Sequence, residues 1–298
     1  MTDKLSVMAG PTVRRIQLGR ELRRLRDAAD VSPLEARAAI GCSKSRFEHI
    51  ERGRNVPSKA ELVVLVRDTY HAGHAVEALE EIRDEASKRG WWSIYALPEW
   101  LAVYVGLEHD ATEVRELALE SIPGLLQTEG YMRTLYTIDV RLSENEINKR
   151  LPARLQRQER LTGDDPLKLT TVVSEAALVR CARDSRVAAD QLAQLVERAG
   201  WPNIELRVLP FDAGLHVGMN GPFSLLSFPD DLLADVAYQE YVVGGHIIDN
   251  PSIVSQLDTL FSELRSQALG ADESLAMIAQ LAKQGSQVTT TKRGIDDG

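Results

Sequence analysis

The sequence predicts a small, mainly α N-terminal domain followed by a larger α+β domain with a mostly antiparallel sheet. Three observations carry that prediction. Residues 14–87 place apolar side chains at helical spacing between strong helix caps. From residue 167 onward, short apolar or alternating runs bounded by Pro, Gly, Asn and Asp take over, which is the period of strands. Charge divides along the same line. Residues 1–60 hold 13 Lys+Arg against 7 Asp+Glu, although the whole 298-residue chain has 35 against 44 and a net charge of −9. A basic module joined to an acidic remainder points to a nucleic-acid partner for the first part.

The first helix is expected over 14–29, with Leu18, Leu22, Leu25 and Ala29 on its apolar face. Arg14, Arg15, Arg20, Arg23, Arg24 and Arg26 occupy its other faces. Ser32 then caps a short helix with Pro33 in its first position and Glu35 completing a capping box. Gly41 ends that helix, because glycine accepts the left-handed conformation of a sharp exit. Ser43 caps the next helix, which stops at Gly53, and Ser58 with Glu61 opens another after Pro57. Phe47 and Ile50 should pack inward with Leu34 and Ile40, leaving Lys44, Ser45, Arg46, Glu48, His49 and Arg52 directed outward.

Two short helices about a tight turn, the second polar on its outer face, suit the major groove of double-stranded DNA. There Lys44, Ser45 and His49 are the expected base readers, lysine toward guanine O6 and N7 and serine toward either base type. Ser32, Arg46, Arg52 and Arg54 are the expected contacts to the DNA backbone, which add affinity without sequence information.

These residues carry a resemblance. Residues 14–70 resemble the Cro/C1-type (XRE) helix-turn-helix family of five-helix DNA-binding domains. The matching runs are Leu18-Gly19-Arg20-Glu21-Leu22-Arg23-Arg24-Leu25-Arg26, Gly41-Cys42-Ser43-Lys44-Ser45, Ile50-Glu51-Arg52-Gly53-Arg54 and Pro57-Ser58. One residue departs from the pattern: Pro33 stands where the family usually has a phosphate-binding glutamine. Proline offers neither a side-chain donor nor an N–H.

Beyond the module, a helix over 73–87 leads to Trp91, Trp92, Tyr95, Leu97 and Trp100, an aromatic hinge expected to dock two domains, with a ligand cage as the alternative. Helices are expected over 99–105 and 110–118, after the turn at 122–128, and over a long basic stretch opened by Ser143 and Glu146. Strands are expected at 167–174, 204–209, 223–228, 236–241 and 246–248, with helices at 186–199, 251–267 and 272–283. The organisation so read is a disordered arm (1–12), a helix-turn-helix domain (13–72), a connecting segment (73–105), an α+β sensor, dimerisation and partner-binding domain (106–284) and a disordered tail (285–298).

Residues 90–283 resemble the C-terminal domain of actinobacterial WhiJ-like regulators. The matching blocks are Ile122-Pro123-Gly124-Leu125-Leu126-Gln127-Thr128-Glu129-Gly130-Tyr131, Arg157-Gln158-Glu159-Arg160-Leu161, Val208-Leu209-Pro210-Phe211 with Gly214 and His216, and Gly221-Pro222-Phe223-Ser224-Leu225-Leu226 with Phe228-Pro229. The resemblance implies a transcription regulator with a small BldB-like protein as partner. Gly214, His216, Gly218 and Asn220 form a candidate ligand or partner loop. Its glycines resemble a phosphate cradle, but no Gly-Lys-Ser/Thr follows.

No catalytic residue, metal site or cofactor is expected. Cys42 and Cys181 lack metal or disulfide spacing, and Cys181 reads as a small buried apolar residue. No apolar run has membrane-span length and no signal pattern opens the chain, so a cytoplasmic, nucleoid-associated protein is expected. Two readings stand. One is a homodimeric DNA-binding regulator; the other is a protein-interaction adaptor or antitoxin-like binder on the same scaffold without strong DNA affinity.

Overall fold

The computed structural model describes residues 9–95, 97–229 and 233–293, with side chains to residue 283. The chain divides into two compact units. The first runs to Ser93 and takes in Val105–Asp110 with the short stretch around Pro229; the second holds Ile94–Tyr104, Ala111–Phe228 and the remainder from Ala234.

In the first unit, α1 (Pro11–Ala28), α2 (Pro33–Ala39), α3 (Lys44–Glu51) and α4 (Lys59–Val63) follow one another, and α4 continues as a wider π-helical turn, Val64–Thr69. The capping boxes at Ser32–Glu35 and Ser58–Glu61 form as the sequence dictates, and the Ser43 hydroxyl accepts from the Arg46 N–H. Leu18, Leu22, Leu25, Ala36, Phe47, Ile50, Leu62 and Leu65 make the core. Helix α5 (Val76–Ala86) belongs to it too. Leu79 is buried there and Val76 and Ile82 pack against it, so this helix is part of the N-terminal core, not a connecting segment beyond residue 72.

Two further expectations change. Leu34 is 60% exposed and Ala36 takes the inward position, because a seven-residue helix starting at Pro33 turns residue 36, not 34, onto the core. The arm expected over 1–12 is ordered at its described end. Ala9 is buried, the Gly10 N–H donates to Asp110 Oδ1 at 2.9 Å, and Pro11 starts α1 three residues early. Residues 1–8 lie outside the described residues.

The second unit is built on a six-stranded sheet in the order β3-β2-β1-β4-β5-β6. The strands are β1 (Glu113–Ala118), β2 (Lys168–Ser174), β3 (Ile204–Leu209), β4 (Phe223–Ser227), β5 (Val236–Tyr241) and β6 (Gly244–Ile248). The sheet is mixed, not mostly antiparallel: β1 and β2 pair parallel, as do β2 and β3, while β4, β5 and β6 continue antiparallel from β1. The parallel half arises because long helical crossovers separate β1, β2 and β3, whereas short connections join β4 to β6.

The region expected as a helix over 110–118 is β1, at the centre of the sheet. Glu, Arg, Leu and Ala favour helix locally, but Val114 and Leu117 are fully buried and neighbours lie on both sides. Tertiary packing overrides propensity here. Before β1 runs α6 (Glu99–Asp110), longer than the helix expected over 99–105. Helices α7 (Glu129–Thr137) and α8 (Glu144–Arg157) lead to β2, and α9 (Glu175–Arg183), which the periodicity did not disclose, follows it directly. Then come α10 (Ala188–Arg198), α11 (Pro251–Gln267) and α12 (Ala271–Arg293). Helix α11 lays Val254, Phe261 and Leu264 against Leu117, Val172, Leu225 and Ala237. Helix α12 runs past Gly285, where a disordered tail was expected. One glycine without a capping arrangement costs a helix only about 1 kcal/mol. Residues 294–298 lie outside the described residues.

Candidate nucleic-acid interface

Helices α2 and α3 are joined by a turn at Gly41, whose φ of +62° is the left-handed exit expected of it. Around α3, Phe47 and Ile50 point into the core. On the outer side Lys44 is 82% exposed, its Nζ only 3.9 Å from Glu48, and Ser45 is exposed. His49, one turn after Ser45, is half-buried. The three expected base readers thus share the accessible side of one helix.

The expected backbone contacts divide. Arg52 and Arg54 are exposed and form no ion pair with any described residue, so both are available to phosphate. Arg46 is committed elsewhere: its guanidinium grips Glu61 with two hydrogen bonds of 2.6 and 2.9 Å. Ser32 is also engaged, since its hydroxyl donates to Glu35 Oε2 at 2.7 Å and accepts from the Glu35 N–H. In the DNA-free chain both expected contacts are therefore already engaged within the domain. In each case the glutamate of a capping box captured the group.

What fixes α3 is a pair that sequence spacing left among the solvent-facing arginines. The Arg26 Nε donates to Glu51 Oε1 at 2.6 Å and Nη2 to Oε2 at 3.2 Å, while Nη1 reaches the Val31 carbonyl at 3.1 Å. The two side chains are only 8% and 13% exposed. Arg26 stands four residues after Leu22, so the helical stripe itself contained the signal. The basic face of α1 is further consumed by Arg15, bound to the Ala86 and Lys88 carbonyls, and by Arg24 on Glu21. Backbones complete the clamp. A Cβ on Gly19 would lie 2.7 Å from the Ile50 and Glu51 carbonyl oxygens, and one on Gly53 would lie 2.7 Å from Ile16 Cα.

The Arg46 hydrogen bonds hold the Glu61 carboxyl down to about 2, below its ordinary 4.5. The pair therefore stabilises the fold fully above pH 4.5 and loses that contribution as pH falls toward 2. The difference in thermal midpoint between wild type and Glu61→Gln should be largest near neutrality and shrink through that window. A gap independent of pH would contradict the assignment.

A family model described as "Helix-turn-helix domain" matches residues 17–79, and one described as "Domain of unknown function (DUF5753)" matches residues 101–280. The second covers more than half of the chain. The chain belongs to the DUF5753 family. No curated protein and no solved structure matches it. The helix-turn-helix match ends inside α5, in keeping with that helix's place in the N-terminal core.

In the DUF5753 domain the candidate loop forms two 3-10 turns, Phe211–Ala213 and Val217–Asn220. Gly214 takes a φ of +68° and Asn220 is exposed. Gly218 is buried against Leu117 and Leu264, and the enclosed His216 Nδ1 has no hydrogen-bond partner among the described residues. A Cβ on Gly218 would lie 3.0 Å from His216 Nδ1, so these two of the four residues adjoin. Burial pushes the Cys181 thiol up to about 12, which keeps it protonated. Among the described residues no His, Cys, Asp and Glu group could hold a metal, and no helix is long and apolar enough to cross a membrane. The aromatic segment is divided between the units. Trp91 and Trp92 pack edge-on to each other and flank His109, whereas the Tyr95 hydroxyl donates to Gln156 Oε1 at 2.9 Å.

Proposed function

We propose that this protein is a sequence-specific DNA-binding transcription regulator that works as a dimer, its DUF5753 domain supplying dimerisation and the response to a protein or ligand signal. The observation that carries the reading is the rigid presentation of α3: a polar outer side with Lys44, Ser45 and His49, clamped from behind by Arg26 and Glu51. Preorganised donors on a helix fitting the major groove can distinguish base edges without reordering the domain. Arg52 and Arg54 at the helix end hold the phosphates.

The engagement of Ser32 and Arg46, together with Pro33, favours a second reading, an interaction adaptor whose scaffold has little DNA affinity. Salt separates the two. On random-sequence duplex DNA, affinity should fall steeply as salt rises, and Arg54→Ala should lower the slope by about one unit for one lost phosphate contact. Lys44→Ala and His49→Ala should instead relax preference at particular base pairs, by roughly 1–3 kcal/mol for a good bidentate contact. Equal, sequence-blind losses from all three variants would remove Lys44 and His49 as base readers. Binding that ignores salt would favour the adaptor.

A further inference from the structure

The two edges of the sheet are treated differently. At β3, charge and cover protect the edge: Glu205 is held by Arg265, the Val208 N–H donates to Ser274 Oγ, and the Val208 carbonyl accepts from the Leu269 N–H. Lysines, charges, prolines and covering segments are the usual ways a strand edge is kept from pairing with another chain. β6 itself carries no lysine, proline or formal charge, and no described residue hydrogen-bonds to its outer edge. Residues 241–248 read Tyr-Val-Val-Gly-Gly-His-Ile-Ile, without a formal charge in a protein of net −9.

The hairpin register decides which backbone groups face outward. Tyr241 pairs with Gly244 across a two-residue turn, so Gly244, His246 and Ile248 bond to β5. The alternate residues, Gly245 and Ile247, turn their N–H and C=O groups to the open side, and those groups have no partner among the described residues. Beside this edge the hairpin tip exposes Val242 (82%) and Val243 (75%). The Arg141 guanidinium donates to the Val242 carbonyl at 2.8 Å at this tip.

We propose that β6 pairs antiparallel with β6 of a second copy, about a two-fold axis through His246, and joins the two sheets. In that register Gly245 of each chain lies opposite Ile247 of the other, and the outward donors and acceptors satisfy each other. Charge selects the occupant. Each copy carries a net charge of −9, and the strip from Tyr241 to Ile248, which carries none, lets two copies meet without setting like charges together. The inference deepens the dimeric reading above and rests on it for the need for a two-fold, but its geometry does not depend on DNA.

Sedimentation of the full-length protein without DNA tests it. Wild type should run at twice the 33.0 kDa chain mass at micromolar concentration. Ile247→Pro removes an N–H that faces the open edge rather than β5, and should weaken the dimer at least tenfold. His246→Glu, which sets like charges opposite each other on the axis, should weaken it similarly even if the proline variant misfolds, while His246→Gln should remain dimeric. A monomeric wild type, or unchanged dimerisation in a folded His246→Glu protein, overturns the proposal. Binding of the same samples to duplex DNA separates the two claims: a dimer that responds as stated but ignores DNA upholds the interface and removes the DNA reading.

Discussion

Arg26→Ala should unfold the N-terminal domain or leave it barely stable, at a cost of about 3–5 kcal/mol. Removing the arginine strands the Glu51 carboxylate at 13% exposure with no cation to answer it. It also leaves the Val31 carbonyl without its donor. That loss is comparable to a large part of a small domain's net stability, typically about 5–15 kcal/mol. Urea unfolding followed by circular dichroism would read it as a lower midpoint. The double variant Arg26→Met with Glu51→Leu offers the contrast. Replacing both partners with apolar groups removes the stranded charge, so most of the stability should return. DNA affinity need not return with it, because α3 would then be seated by packing alone. Equal instability of the single and double variants would contradict the stranded-charge account.

Gly53→Ala should be comparably severe for a different reason. Residue 53 has a φ of +69°, and its Cβ would stand 2.7 Å from the Ile16 Cα and backbone nitrogen. A left-handed alanine costs roughly 1–2 kcal/mol, and overpacking adds typically about 1–3 kcal/mol where the neighbour is backbone and cannot rotate away. The expected total is about 2–5 kcal/mol, read again as a lower unfolding midpoint. Gly41→Ala supplies the internal control: its φ is +62°, but no atom lies within 4 Å of the added Cβ, so only the conformational part should be lost. If both variants were destabilised alike, the close approach of α1 to the end of α3 would carry no weight.

The features legible in the sequence are those that local chemistry decides. Ser32, Ser43, Ser58, Ser143 and Asn250 each announced a helix start, because a cap is formed by side chain and backbone within three residues. Strands β3 and β5 coincide with their expected runs because alternation or continuous burial marks them. What stayed hidden depends on distant neighbours. Glu113–Ala118 is a strand only because β2 and β4 flank it. The parallel pairing of β1, β2 and β3 follows from connections that no single segment shows. In the helix-turn-helix region, periodicity placed Lys44, Ser45 and His49 outward, but it could not tell an unengaged arginine from one already held. Arg52 and Arg54 form no ion pair with a described residue, Arg46 is bound to Glu61, and Arg26 lies inside.

The most direct test of specific DNA recognition is to incubate the full-length protein with fragmented genomic DNA, recover the bound fragments and sequence them. A shared site with two-fold symmetry, half-sites about one helical turn or a multiple of it apart, is the predicted result. With Lys44→Ala the recovered site should lose its preference at particular base pairs while the protein stays folded. Folded wild-type protein that enriches no sequence would contradict the account and leave α3 as the surface of an adaptor.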